Sequence, residues 1–211
     1  MSNDVDLAAE PDDRHRYSPD QRKAMILDAA RGVLFKNPNA TLEEIAEAAG
    51  VTRQLVSRYF PGGGVTPIAE ALFDDYEHHF AGLFVELPAE GPKDAEEMHE
   101  AISKVIKRFL DWAQADGQPW LFGGEGAAMS SHLAARRADL RVNLAMVMLH
   151  FARRLVKETE ATRVAVQAEG RAVDEVLWLL LTGQLERKAA EEILNARFVS
   201  LFQPTLPALG G

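Results

Sequence analysis

Apolar residues recur every three or four positions through most of the chain, which is the spacing of an α-helix with one buried face. The first such segment opens at Ser18, where Pro19 takes the first helical position and Gln21 stands three residues after the cap. The stretch Asn-Pro-Asn at 37–39 ends the segment. The pattern predicts a helix over 19–35 with these side chains on its buried face: Ile26, Leu27, Ala30, Val33 and Leu34.

Two shorter helices follow directly. Thr41 and Glu44 form a capping box that opens the second helix, and Gly50 suits the left-handed residue that closes it. Thr52 caps a third helix, which ends at the aromatic and proline residues before the next break. Three short helices with these breaks predict a helix-turn-helix module over residues 17–64.

The remaining chain shows further helical spacing and no alternating strand pattern of useful length. The apolar positions predict helices over about 66–83, from 95 to the break at Gly117, and over 133–157, 161–185 and 187–202. Residues 120–131 are ambiguous because their glycines weaken a helix. The sequence therefore predicts an all-α protein with a disordered acidic tail (1–16), the helix-turn-helix module (17–64) and a larger helical body (65–211).

Composition narrows the classes of function. The 211 residues include no Cys, which excludes disulfides, thiolate catalysis and zinc sites of the finger type. Apolar runs such as 176–181 fall far short of the roughly 18 residues of a membrane span. The acidic start is also unlike a secretory signal. We therefore expect a cytoplasmic protein with no membrane partner.

The chain also lacks the usual catalytic spacings. His78 and His79 lie beside Glu77, but without the HExxH spacing or a third metal ligand nearby. No nucleophile elbow, phosphate loop or dinucleotide fingerprint is present in the sequence. We expect no enzymatic activity, no metal and no cofactor.

Charge is distributed unevenly along the chain. The formal net charge is -9, but residues 14–64 carry eight basic and five acidic side chains. The stretches on either side of this block are both net acidic. A basic module on an acidic body is the pattern expected when one face meets phosphate groups and the rest does not.

The third predicted helix presents polar side chains suited to DNA. Arg53 can form two hydrogen bonds with guanine O6 and N7, and Gln54 can pair with adenine N6 and N7. Hydroxyl groups and Arg58 suit phosphate oxygens. A merely solvated polar helix face is the alternative. The predicted DNA-binding residues are Thr41, Thr52, Arg53, Gln54, Ser57, Arg58, Tyr59, Gly63 and Gly64.

The module resembles the DNA-binding domain of the TetR family, the tetracycline-repressor-like regulators. The resemblance rests on ILDAA at 26–30 with Phe35, TLEEIA at 41–46, AGVT at 49–52 and YFP at 59–61. It implies a homodimeric transcription regulator, most simply a repressor. It also implies that residues 65–211 are a ligand-binding and dimerisation domain in which an unidentified small-molecule effector shifts the two recognition helices.

Two positions depart from the family pattern. Ser57 stands where the family usually has an aromatic residue. Gly62, Gly63 and Gly64 stand where the family tends to have Ser-Lys, with the lysine gripping a phosphate. Exposed glycine amides and a helix N-terminus near Thr66 can also hold a phosphate. A turn that is only flexible is the alternative.

Residues 177–181 form a helix segment that is apolar nearly all round, and apolar residues follow on the last predicted helix. A helix that is apolar on every side needs cover on every side. A helix pair from a second copy would supply that cover, as would burial within one subunit. A dimer would place two recognition helices about 34–36 Å apart on a palindromic operator in double-stranded DNA. The predicted dimer-interface residues are Leu177, Trp178, Leu181, Ile193, Phe198 and Leu201.

Large side chains on helices that would enclose the interior of the body are the candidate effector contacts. Asn143 and His150 are seven residues apart and share a helix face, so they suit the polar group of an apolar or amphipathic effector. Plain core packing is the alternative for each residue. The predicted ligand-binding residues are Phe109, Trp112, Trp120, Phe122, Met129, Asn143, Met146 and His150.

Two other functions stay open. One is a helical ligand-binding or scaffold protein whose module no longer binds DNA, an alternative favoured by the three consecutive glycines. The other is a transcriptional activator, which the sequence does not distinguish from a repressor.

Overall fold

The computed structural model describes residues 17–123 and 130–202, and these residues form nine helices and no strand. The prediction of an all-α protein is thereby confirmed. No helix in the described ranges is long and apolar enough to cross a membrane. The helices are α1 (Pro19–Lys36), α2 (Leu42–Ala48), α3 (Arg53–Tyr59), α4 (Thr66–Gly82), α5 (Ala95–Asp116), α6 (Pro119–Gly123), α7 (Ser131–Phe151), α8 (Glu160–Leu181) and α9 (Arg187–Phe202).

The predicted helix starts in the N-terminal module are confirmed by their caps. Ser18 and Thr41 each take part in a reciprocal capping box, so the free N–H groups of α1 and α2 have partners. The Thr52 hydroxyl accepts from the N–H of Leu55 at the start of α3. Gly50 has a φ of 63°, the left-handed conformation expected at the turn between α2 and α3.

The predicted ends of two body helices are wrong. Helix α7 ends at Phe151 instead of residue 157. The guanidinium of Arg153 folds back there, donating to the carbonyl oxygens of His150 at 2.8 Å and of Ala89 at 2.6 Å. Helix α8 stops before residue 185, because Gly183 takes a φ of 73° and turns the chain.

A single cluster of buried apolar side chains runs from the module into the body. Ile26, Ile45 and Val56 are fully buried within the module. Helix α4 packs on α1 and α7, and α7, α8, α9 and α5 complete the body. Ion pairs reinforce the junction, since Arg31 of α1 bonds Asp75 of α4.

Candidate nucleic-acid interface and body cavities

Helix α3 is fixed from behind by Val56, which is completely buried. This packing turns the other side of the helix outward. Thr52, Arg53 and Gln54 are exposed at its N-terminal end. Towards its C-terminal end Arg58 is exposed as well, while Ser57 and Tyr59 are half-buried. The structure therefore brings the predicted residues of this helix to the surface of one module.

An ion pair that the sequence analysis missed holds Arg53. Its Nε lies 2.8 Å from Oε1 of Glu43 on α2, and the two side chains are 64% and 62% exposed. Exposed pairs of this kind contribute little free energy, so Arg53 can exchange the carboxylate for a base edge. The pair also places a negative charge beside the candidate interface.

Arg58 lies close to an aromatic ring. Its Cζ is 5.4 Å from the centroid of the Tyr59 ring, which is within the range of a cation–π contact. No carboxylate pairs with Arg58 among the described residues. Its charge is therefore available to a phosphate.

The two threonine caps differ in what they can offer to DNA. The Thr41 hydroxyl donates to Oε2 of Glu44 at 2.8 Å and accepts from the Glu44 N–H. The hydrogen bond from the Thr41 backbone N–H, together with that from the hydroxyl, lowers the pKa of Glu44. A hydroxyl has one proton, so in this conformation Thr41 has none left for a phosphate. The Thr52 hydroxyl accepts from the N–H of Leu55 at 3.2 Å and donates to no other described residue.

The turn between α3 and α4 is built from glycines in positive-φ conformations. Gly62, Gly63 and Gly64 have φ angles of 121°, 77° and 65°, which residues other than glycine rarely adopt. All three residues are exposed. Their amide groups make no hydrogen bond to other described residues, and the α4 cap residue Val65 has no side-chain cap bond. Free N–H donors thus collect at the start of α4.

The predicted aromatic effector residues come together inside the body. The Phe109 ring lies 5.8 Å from that of Trp112 and 6.5 Å from that of Phe122, centroid to centroid. Trp120 is buried, and its indole N–H donates to Oε1 of Gln118 at 3.2 Å. Phe109, Trp120 and Phe122 are therefore part of the buried core, whereas Trp112 is only partly buried.

The expectation that Asn143, Met146 and His150 face the interior is wrong. All three are exposed on α7. The buried residues of that helix include Met148 and Leu149 instead. Met129 lies outside the described residues.

A half-buried charged cluster borders the aromatic core. Asp174 of α8 bonds Arg141 at 2.7 Å and lies 3.6 Å from Arg137, both on α7. Burial raises the pKa of Asp174, and the two guanidinium groups oppose that rise. Burial also raises the pKa of Tyr76, which adjoins the cluster. The cavity among these residues and Phe109 is only about 20 Å³, room for about one water molecule.

Larger openings lie elsewhere on the body, among them one of about 530 Å³ lined by His79, Arg108 and Trp112. A groove of about 690 Å³ lies where the α4–α5 connection meets the end of α7, and none of the predicted effector residues lines it. A cleft of about 340 Å³ separates Arg31 of α1 from Trp112 of α5. Trp112 is therefore the predicted effector residue that borders this cleft.

Predicted dimer-interface residues differ in exposure. Leu177 and Phe198 are buried within the single chain, so their side chains offer no surface to a partner. Trp178, Leu181 and Leu201 are partly exposed, and Ile193 is 38% exposed. Apolar side chains that were not assigned to the dimer interface are also exposed in the helical body: Val142, Met146 and Val147 on α7 and Val164 on α8.

Comparison with known proteins finds similarity to bacterial transcription regulators. Residues 26–62 match the sequence model described as "Bacterial regulatory proteins, tetR family". The transcriptional repressor LfrR of Mycolicibacterium smegmatis is 37% identical over 94 residues, which are 44% of this chain and 46% of LfrR. The match thus spans about half the length of that curated relative.

Solved structures share the fold over most of the chain. A tetR-family transcriptional regulator from Streptomyces coelicolor superposes with a TM-score of 0.66 at 24% identity, covering 88% of this chain and 80% of that one. The fatty acid degradation regulator FadR from Bacillus halodurans gives a TM-score of 0.64 at 17% identity, covering 87% and 96%. At these identities the likeness concerns the fold alone.

Proposed function

We propose that this chain, a member of the TetR family of bacterial regulatory proteins, binds double-stranded DNA as a homodimer and represses transcription until a small molecule binds its body. The observation that carries the proposal is α3, which is anchored by buried Val56 and presents basic and polar side chains outward. The relative LfrR is a repressor by name, which supports the proposed sign of regulation.

In the proposed complex, the N-terminal part of α3 lies in the major groove. Arg53 leaves Glu43 and binds a guanine, while Gln54 binds an adenine. Arg58 and Thr52 bind phosphates and set the register of the module on the duplex. Ser57 and Tyr59 lie further along the same helix and are proposed to add contacts to the backbone.

The glycine turn takes the place of the lysine contact expected for the family. The free amides of Gly63 and Gly64 stand at the uncapped start of α4, a 17-residue helix. Such amides and the positive end of the helix dipole favour a phosphate. We therefore propose that this turn holds a DNA phosphate through its backbone.

The proposed homodimer would cover apolar surface that one chain leaves exposed. Trp178 and Leu181 on α8, with Ile193 and Leu201 on α9, are the partly exposed residues of that surface. Leu177 supports the surface from behind, because it is fully buried. Two copies joined in this way would present two α3 helices to a palindromic operator.

Effector response would act through α4, since this helix contacts both the module and α7. Arg136 of α7 bonds Asp74 and Glu77 of α4, and its guanidinium lies 4.8 Å from the centroid of the Phe73 ring. A ligand that favours a different position of α4 would change the separation of the two α3 helices. Only a ligand with unequal affinity for the two states can do so.

The test is selection of bound fragments from random DNA by the purified chain at about 150 mM salt, where non-specific binding is weak. An enriched palindrome is expected. Arg53→Ala should then cost roughly 1–3 kcal/mol at that sequence and relax one base. Arg58→Ala should weaken binding to all DNA sequences and make the affinity less dependent on salt concentration. Lys107→Ala, which removes an exposed cation from α5, is the control and should change neither property.

Two results would favour the alternatives. If no sequence is enriched and neither arginine variant changes DNA binding, the chain is a helical ligand-binding or scaffold protein. If the selected sequence raises transcription of a reporter in the presence of the protein, the chain is an activator.

A further inference from the structure

The groove at the α4–α5 corner has the size and surface of a small-molecule site. Its volume of about 690 Å³ falls within the range typical of ligand pockets. Leu83 and Phe151 on its floor are buried, and Leu87, Ala101 and Val105 are partly buried. These side chains offer a continuous apolar surface to a ligand.

The wall of the groove is held in place by contacts far apart in sequence. Arg153 donates to the carbonyl of Ala89 at 2.6 Å, and Arg108 pairs with Glu86 at 2.8 Å. Gly91 has a φ of 73°, and a Cβ there would lie 2.3 Å from the carbonyl oxygen of Phe151. Only glycine allows this close approach, so the groove is a formed site that a ligand can enter without first ordering the loop.

The charges on the rim leave one arginine available. Glu86, Glu97 and Glu100 each pair with a neighbouring cation. The backbone N–H of Lys93 also bonds Glu97, and this bond lowers the pKa of Glu97. Arg154 lines the groove in the turn that follows α7 and has no carboxylate partner within the described ranges. Glu90 on the same rim is likewise unpaired there.

We infer that this groove binds an amphipathic anion, with the apolar body of the ligand on Leu83 and Phe151 and its anionic group on Arg154. An arginine favours carboxylates and sulfonate-like groups because its planar donors can form two hydrogen bonds at once. Lys93 and Lys104 add positive charge nearby, since exposed pairs four residues apart hold them only weakly.

An occupied groove would contact the end of the helix that leads to the DNA module. Leu83 is the C-terminal cap of α4 and is buried in the floor. Helix α4 then runs 17 residues, about 25 Å, to the glycine turn after α3. This step from binding to DNA release rests on the proposed function, whereas ligand binding itself does not.

Two dyes of matched shape test the groove on the full chain. The anion 8-anilinonaphthalene-1-sulfonate and its uncharged counterpart N-phenyl-1-naphthylamine are titrated by fluorescence. Arg154→Ala should weaken binding of the anionic dye roughly tenfold and binding of the uncharged dye less than about twofold. Ala101→Trp should weaken both dyes, because it fills the groove. Lys107→Ala, which removes a cation outside the groove, is the control and should change neither.

The inference is overturned if Ala101→Trp leaves both dyes unaffected, or if Arg154→Ala weakens both dyes equally. Arg154 is exposed and makes no ion pair in the described part of the chain, so its variant keeps the test valid if Ala101→Trp misfolds. Operator release is measured separately with the same dyes. If Arg154→Ala weakens the anionic dye selectively but the dyes do not release the operator, the groove is a binding site and the proposed effector response is wrong. If the protein binds no DNA, the conclusion from the dye titrations still holds.

Discussion

At the scale of single residues, the ion pair between Arg53 and Glu43 occupies an arginine that is proposed to bind DNA. Glu43→Gln would free Arg53 and remove a negative charge near the phosphates. We expect DNA affinity to rise roughly two- to fivefold at low salt, in line with the free energy of an exposed pair. Fluorescence anisotropy with labelled duplexes measures the change. Glu47→Gln removes an equal charge from α2 without touching Arg53, so an equal gain in that control would show that only net charge matters.

A second residue-scale prediction concerns Gly91. Gly91→Ala combines a positive φ with a Cβ 2.3 Å from the Phe151 carbonyl oxygen. We expect the free energy of unfolding to fall by about 2 kcal/mol or more. Gly183→Ala is the matched control, because its φ is also 73° but no atom lies within 4 Å of the added Cβ; its cost should be about 1 kcal/mol. Equal losses in urea unfolding would mean that the contact with Phe151 is unimportant.

At the scale of helices, Arg136 joins α7 to α4. Its side chain is 24% exposed and bonds both Asp74 and Glu77. Arg136→Met keeps much of the apolar stem but breaks both bonds. We therefore expect the free energy of unfolding, measured by thermal unfolding, to fall by about 1–2 kcal/mol. Arg163→Met breaks an exposed pair with Glu158 and should cost less than about 0.5 kcal/mol. A loss no larger than in that control would show that the junction does not depend on Arg136.

Prediction from sequence succeeded for helices whose ends are set by neighbouring residues. The starts of α1 and α2 follow from Ser18 and Thr41, because a capping box involves only residues three positions apart. The end of α7 depends on Arg153 reaching Ala89, 64 positions earlier in the chain, which no local pattern reveals. The interface ion pair of Arg53 was missed for the same reason, since Glu43 lies on another helix.

The candidate effector contacts on α7 were mispredicted for a different reason. The apolar residues of this helix are spread around it, with Val142, Met146 and Val147 on the exposed side. Helical spacing therefore does not single out one buried face, and Asn143, Met146 and His150 were assigned to the interior although they are exposed. Phe109, Trp120 and Phe122 of α5 and α6 are buried, because such large side chains have few other places to pack.

At the scale of the whole molecule, the proposed dimer can be tested on its surface. Ile193→Arg places a charge on the exposed apolar side of α9, so we expect a shift towards monomer at micromolar concentration. Analytical ultracentrifugation measures the shift, and affinity for a palindromic operator should fall with it. Val85→Arg changes an apolar residue that is 80% exposed in the α4–α5 connection, and it should leave the oligomeric state unchanged. A dimer that survives Ile193→Arg would place the interface elsewhere.

Helix α4 limits how this protein can be recombined with its relatives. Its buried residues, among them Ile68 and Phe80, belong to the same hydrophobic cluster as the core of residues 17–64. A chimaera cut at the glycine turn would therefore join the proposed DNA-binding module to a foreign helix and leave apolar surface mismatched on both sides of the joint. An exchange that carries α4 along, with the acidic residues that meet Arg136, would keep that surface matched. The unit that can be moved between such proteins is therefore longer than the proposed DNA-binding module.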